Sequence, residues 1–164
     1  MDISKIEVLR FSNKKLKRLP DLTKFINLKK LYCDRNQLTI LDNLPASLEY
    51  LNCSDNLLIN LDNLPPNLKY LDCTNNKLTV LDNLPVSLEY LNCSFNKLTN
   101  LEKLPYNLNT LVCHANKLTN LQNLPNSLET LYCHGNPLRL EYKLTLENIK
   151  KYIGKNIKIF VGKN

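Results

Sequence analysis

Residues 48–67, LEYLNCSDNLLINLDNLPPN, return almost letter for letter every 20 residues. The spacing is Leu48-x-x-Leu51-x-Cys53-x-x-Asn56-x-Leu58-x-x-Leu61-x-x-Leu64-Pro65, and the same frame recurs from Leu68, Leu88, Leu108 and Leu128. A unit this short cannot bury its own leucines. It must stack on its neighbours, so that the leucines of successive units merge into one continuous core.

Within each unit the segment around Leu51-Asn52-Cys53 alternates apolar and polar, the period of a strand with one buried face. Strands are predicted at 9–11, 31–33, 51–53, 71–73, 91–93, 111–113 and 131–133. They recur at a fixed interval in one direction, which makes them a parallel, in-register sheet with neighbours about 4.8 Å apart. The return path is too short for a helix as well as a strand, and prolines at 45, 65, 85, 105 and 125 favour an extended, polyproline-like course. Bulkier return segments force the stack to curve with the strands on the concave side. The expected class is therefore a β-dominated solenoid of the α/β class, one parallel sheet inside and an extended convex side outside.

The ends depart from the frame. Ile6, Leu9, Phe11, Leu16 and Leu19 fit it, but Lys14 stands where the repeats have Asn, and Leu9 precedes Leu31 by 22 residues. Residues 1–30 are read as an N-terminal cap with an atypical first repeat, 31–137 as regular repeats and 138–164 as a short α/β C-terminal cap of the same single domain. In that cap, residues 145–153 are predicted helical, with Thr145 as N-cap and Gly154 as the stop. Ile157, Ile159 and Val161 then alternate like a strand.

The formal charge of +7 suggests nucleic acid until it is located. Residues 1–30 hold nine basic and three acidic side chains, residues 31–137 six and ten, and residues 138–164 seven and two. Positive charge sits at the tips rather than along the long face that a duplex would need. Basic ends keep open sheet edges from pairing with one another. Nucleic-acid binding through the basic caps is the lesser alternative. MDISKIEVLRF lacks the apolar run of a signal peptide, and no stretch approaches the roughly 20 apolar residues of a membrane span, so a cytoplasmic protein without membrane contact is expected.

The pattern L-x-x-L-x-[LVC]-x-x-N-x-L, with its L-P-x-x-L link, resembles the leucine-rich repeat family. At this period it is similar to the short repeats of bacterial type III effectors and of repeat proteins from large DNA viruses of amoebae. The resemblance covers about residues 6–140. It implies a curved horseshoe that binds another protein on its concave face, with the host-cell cytoplasm as one place of action. The injected ligases of that group carry a separate catalytic domain, which the 27 residues after Pro137 do not supply. A role as the substrate-recognition part of a ligase complex follows only by that analogy.

Register turns every position into a row along the coil. Cys33, Cys53, Cys73, Cys93, Cys113 and Cys133 fall on the inward side with the leucines, as reduced core residues rather than disulfides or zinc ligands. Asn36, Asn56, Asn76, Asn96, Asn116 and Asn136 serve the backbone in the turn after each strand. Lys29, Glu49, Lys69 and Glu89 alternate in sign for cross-strand pairing.

Three rows face out of the sheet. One is Lys30, Tyr50, Tyr70, Tyr90, Thr110, Thr130; the next is Arg10, Tyr32, Asn52, Asp72, Asn92, Val112, Tyr132; the third is Ser12, Asp34, Ser54, Thr74, Ser94, His114, His134. The tyrosines act either as partner anchors or as a ladder that stiffens the sheet. The candidate partner-binding set is Tyr32, Tyr50, Asn52, Tyr70, Asp72, Tyr90, Asn92, Phe95, Val112, His114, Tyr132 and His134. His114 and His134 follow cysteines, but alternation points the imidazoles away from the sulfurs, and two ligands fall short of a zinc site. No catalytic constellation, cofactor or metal site is expected, because no nucleophile, base and orienting group converge. The expectation is a monomeric, non-enzymatic module that binds another protein. The alternative is a structural or self-assembling repeat protein.

Overall fold

The computed structural model describes residues 2–138 and 158–160. Eight three-residue strands form one parallel sheet in strict chain order: β1 Val8–Arg10, β2 Lys30–Tyr32, β3 Tyr50–Asn52, β4 Tyr70–Asp72, β5 Tyr90–Asn92, β6 Thr110–Val112, β7 Thr130–Tyr132 and β8 Lys158–Phe160. The register is the repeat itself: Leu31 lies against Leu51, Leu51 against Leu71, and so to Leu131. The offset of 22 at the first turn survives as Leu9 beside Leu31.

The strands begin one residue earlier than alternation alone places them. The ladder does not stop at the cysteine, since Cys53 N–H donates to Asp72 O at 2.8 Å and Cys73 N–H to Asn92 O at 2.8 Å. Two residues further on, the backbone swings into the left-handed region at Arg35, Asp55, Asn75, Phe95, Ala115 and Gly135, with φ between 51° and 67°. That reversal ends each strand. Only Gly135 is freed there by lacking a side chain, and a Cβ on it would meet Ala115 N at 3.3 Å.

The core is the row structure made solid. Leu31, Leu51, Leu71, Leu91, Leu111 and Leu131 from strand centres, with Leu48, Leu68, Leu88, Leu108 and Leu128 before them, are fully buried beside all six cysteines. Each leucine removed from water contributes about 1.5–3 kcal/mol, which no single turn could collect alone. On the other side of the coil the return segments between β1 and β7 hold no helix or strand. From β2 onward each carries a turn closed by a leucine N–H on a proline carbonyl, as in Leu48 to Pro45 at 3.1 Å and Leu88 to Pro85 at 3.0 Å, while the first closes from Leu28 to Phe25 O at 3.0 Å. The Asn before Leu-Pro is also left-handed at Asn43, Asn63, Asn83 and Asn123, but not where Lys103 replaces it. The return is thus an extended course interrupted by tight turns.

The asparagine row works as a second ladder. Asn76 Nδ2 donates to Cys53 O at 3.1 Å, Cys73 O at 3.1 Å and Thr74 O at 3.2 Å, and its Oδ1 accepts from Leu58 N–H at 3.0 Å. Asn56, Asn96 and Asn116 repeat this pattern. Asn36 reaches back across the irregular first turn to Phe11 O, Lys14 N–H and Leu16 N–H. One amide per turn satisfies the backbone that the left-handed residue pulls out of the sheet.

The ends close differently. A short 3-10 turn, Ile3–Lys5, is capped by Asp2 and precedes β1, an element the repeat pattern does not announce. At the far end β8 pairs with β7, and Ile159 packs on the core, so the alternation around Ile159 is a strand that covers the last repeat. The predicted helix at 145–153, with Thr145 and Gly154, lies outside the described residues, as do Ile157 and Val161. Among the described residues no helix is long and apolar enough to cross a membrane.

Candidate functional site

Because side chains alternate across a strand, the leucine at the centre of each strand points inward and its two neighbours stand on the open face. In β3, β4 and β5 those neighbours are Tyr50 and Asn52, Tyr70 and Asp72, Tyr90 and Asn92. In-register pairing sets Tyr50 beside Tyr70 and Tyr70 beside Tyr90. Their rings stack, with centroids 4.2 Å apart at 9° and 4.3 Å apart at 4°. Tyr32 joins from the neighbouring row, tilted by 39° at 5.0 Å from Tyr50, and the Arg10 guanidinium lies 4.0 Å over the Tyr32 ring.

The stack half-buries its members and so changes their chemistry. Burial holds the phenols of Tyr50, Tyr70 and Tyr90 above their usual range, and the charge of Asp72 adds to the effect at all three. These hydroxyls stay neutral at any physiological pH and act as hydrogen-bonding groups. Beneath the sheet, burial likewise pushes the thiols up, to about 12 at Cys33 and Cys93 and about 11 at Cys133. All six are free.

Beside the tyrosines runs a polar column. Asn52 Oδ1 accepts from Ser54 N–H at 3.0 Å, Asp72 Oδ1 from Thr74 N–H at 3.0 Å and Asn92 Oδ1 from Ser94 N–H at 3.2 Å. The hydroxyls of Ser54 and Ser94 also donate to the amide oxygens of Asn52 and Asn92, both at 2.8 Å. Thr74 breaks the series: its Oγ1 is closed off from solvent and has no partner among the described residues.

A second aromatic group lies on the turns after β5, β6 and β7 and on β7 and β8. His114 and His134 stack at 4.4 Å and 7°, and Phe95 meets His114 edge-on at 5.0 Å and 88°. Tyr132 stacks on Phe160 at 4.2 Å and 5°. Its ring therefore pairs away from the Tyr50 to Tyr90 stack, with half-buried Val112 on the strand between. Ser94 Oγ gives its proton to Asn92, so at 3.0 Å it accepts from His114 Nδ1, which leaves Nε2 of the neutral ring as the acceptor. Burial, then the His134 charge, holds His114 below the usual imidazole range.

The face thus divides the sequence-predicted residues into two groups rather than one. Sequence reasoning left Phe160 out, although alternation around Ile159 puts it outward in the row of Tyr132. Arg10, Thr74 and Ser94 stand in the outward rows of the sequence but outside the candidate set, because their importance comes from contacts that a row does not display. Among the described residues no three His, Cys, Asp or Glu side chains gather closely enough to hold a metal ion.

A coil with one strand per turn, inward leucines and an asparagine ladder is a leucine-rich repeat solenoid. A family model described as Leucine Rich repeats (2 copies) matches residues 66–106, and the turns on either side continue the same frame. The chain is built of leucine-rich repeats and is similar to bacterial effector domains of that type. The structure of a Shigella effector LRR domain superposes with a TM-score of 0.73 at 27% identity, covering 97% of this chain and 83% of that one. YopM, a leucine-rich effector protein from Yersinia pestis, gives a TM-score of 0.66 at 32% identity, covering 80% of this chain. The match spans 44% of the YopM chain, less than half its length. No curated protein sequence matches.

Proposed function

We propose that the protein is a binding module that holds a partner protein on its concave strand face, with the Tyr50 to Tyr90 stack and the Phe95 cluster as its two contact areas. Leucine-rich repeat domains such as those of the similar effectors generally mediate contacts between proteins, which supports the coarse reading. The observation that carries the finer one is Phe95. It occupies a left-handed position at φ 51° where the neighbouring turns have Asn75 and Ala115, and 55% of its surface is exposed. A bulky residue there costs about 1 kcal/mol against glycine or asparagine. Its one ring contact, with His114, is at the surface. A partner that covers the ring accounts for both the strain and the exposure.

The in-register sheet presents these groups already ordered, so association loses little side-chain freedom. Asn52, Asp72, Asn92 and the histidines supply the polar contacts, and Val112 lies between the two areas. Catalysis has little support, since Ser94 is fully buried and its hydroxyl is committed to Asn92 and His114. The test is Phe95→Asn, a residue that Asn75 shows to be at ease at this φ. The variant melts at the same temperature as the parent or higher. It loses most capture of the parent's partners in cross-linking and affinity purification from the native cell. Unchanged capture would remove the Phe95 cluster from the contact area.

A further inference from the structure

Asp72 carries a charge that its place in the fold does not require. Asn52 one turn before it and Asn92 one turn after make the same bond to the N–H two residues on. An amide is therefore sufficient for that turn. The amides also hold the hydroxyls of Ser54 and Ser94, whereas at Asp72 the neighbouring Thr74 Oγ1 is enclosed and unbonded. The carboxylate thus replaces a neutral group without improving local bonding.

Among the described residues no cation pairs with it. Among the described residues, the ion pairs of the molecule involve Asp2, Asp42, Glu49, Asp55 and Asp82, none of which faces out of a strand. On β3 to β7 the outward strand residues are Tyr, Asn, Thr, Val and this one aspartate. Among the described residues, Asp72 is bonded through Oδ1 alone, to Thr74 N–H. The residue is half-buried on the face that carries the three stacked phenols, two residues after Tyr70 on the same strand, and its charge raises the cost of ionising each of them. A half-buried carboxylate on a face of neutral side chains, with no cation paired to it among the described residues, is complementary to a donor-rich cation.

We propose that Asp72, with the phenol oxygens of the Tyr50 to Tyr90 stack, receives an arginine side chain presented by the partner protein. This rests on the binding face described above and names the chemistry it selects. Arginine fits better than lysine, because its flat fork reaches a carboxylate oxygen and a neighbouring phenol together. The same face already holds a guanidinium against a tyrosine, Arg10 on Tyr32.

The experiment titrates N-acetyl-arginine amide into the full chain, with neutral N-acetyl-citrulline amide as the shape control, and follows backbone and tyrosine ring resonances by NMR. The expected result is a saturable shift centred on Tyr70, Asp72 and Tyr90, weakened about tenfold in Asp72→Asn, the usual worth of a hydrogen bond to a charged group. Asp72→Asn copies its neighbours and keeps the parent's melting temperature. Equal binding by citrulline, equal binding by Asp72→Asn, or no saturable shift with arginine would each overturn the proposal. Partner capture separates the two levels. If Phe95→Asn loses the partner while Asp72→Asn keeps it with unchanged salt dependence, the face is right and the cation is wrong. If neither loses it, the face itself is wrong.

Discussion

The rings of Tyr70 and Tyr90 lie 4.3 Å apart and 4° from parallel, and Tyr50 continues the stack beyond Tyr70 at 4.2 Å. Tyr70 alone has a parallel ring on both faces. Each such pair contributes about 0.5–1.5 kcal/mol beyond area burial, so Tyr70→Ala costs about 2 kcal/mol and Tyr90→Ala less. Tyr106 is 68% exposed, and Tyr106→Ala changes stability by no more than about 0.5 kcal/mol. Urea melts of the three variants check the order. Equal, negligible losses at 70 and 106 would mean that the stack does not hold in solution. The two roles set against each other for these tyrosines are then not exclusive, since a row that stiffens the sheet also presents a rigid edge.

The asparagine at 76 offers a sharper test of the coil itself. It is buried and links three carbonyls and one N–H drawn from two successive turns. Asn76→Ala leaves several of those groups without partners, at about 1–3 kcal/mol each where water cannot replace them, so a loss of at least about 2 kcal/mol is expected. At Asn136 in the last repeat the amide is less buried and its bond to His134 O is long at 3.5 Å. The same change there costs clearly less. Equilibrium denaturation of both variants distinguishes this gradient from a uniform effect.

The inward position of the cysteines gives a chemical readout. Nucleophilic attack needs the thiolate, and burial holds Cys33 and Cys93 near 12 and Cys133 near 11, with the other three also raised. Native protein reacts with a thiol reagent at neutral pH at least about 100-fold more slowly than unfolded protein, which titrates all six groups. Mass spectrometry of partly modified native protein finds Cys133 first, because its shift is the smallest and it lies in the last repeat. Rapid, uniform labelling would place the sulfurs at the surface.

The repeat made the sheet, its direction, its register and the inward row legible, because a strict 20-residue period leaves one way to merge the leucines. What it hid is what depends on departures from the period. Lys103 in place of asparagine abolishes a left-handed turn, and Phe95 occupies one against its preference. Rows of identical letters also say nothing about which neighbours touch. Tyr32 and Tyr132 share a row, yet one leans on Tyr50 from beneath Arg10 and the other stacks on Phe160. Glu49 takes both Lys29 and Lys69 at 3.1 Å, so the alternating charges gather on a single carboxylate instead of pairing evenly.

The two histidines make stability depend on pH in a defined direction. His114 is disfavoured as a cation mainly by burial and then by His134 stacked on it, so its folded value lies below the ordinary 6.5. When the folded value is depressed, the unfolded chain binds the extra proton first. Stability is therefore full above 6.5 and falls as the pH drops through and below it, until the folded ring is also protonated. Phe95 and Ser94 are the other groups in contact with the ring, and neither carries charge to offset this. The carboxylate of Glu49, held below 4.5 by Lys29 and Lys69, adds its own loss only at lower pH, so the two windows separate. His114→Asn flattens the profile between 6.5 and the carboxylate range, while His134→Asn flattens it less, since burial of His114 outweighs the neighbour's charge. Thermal melts across that range decide the matter, and a parent profile that is flat there would mean that His114 is open to water.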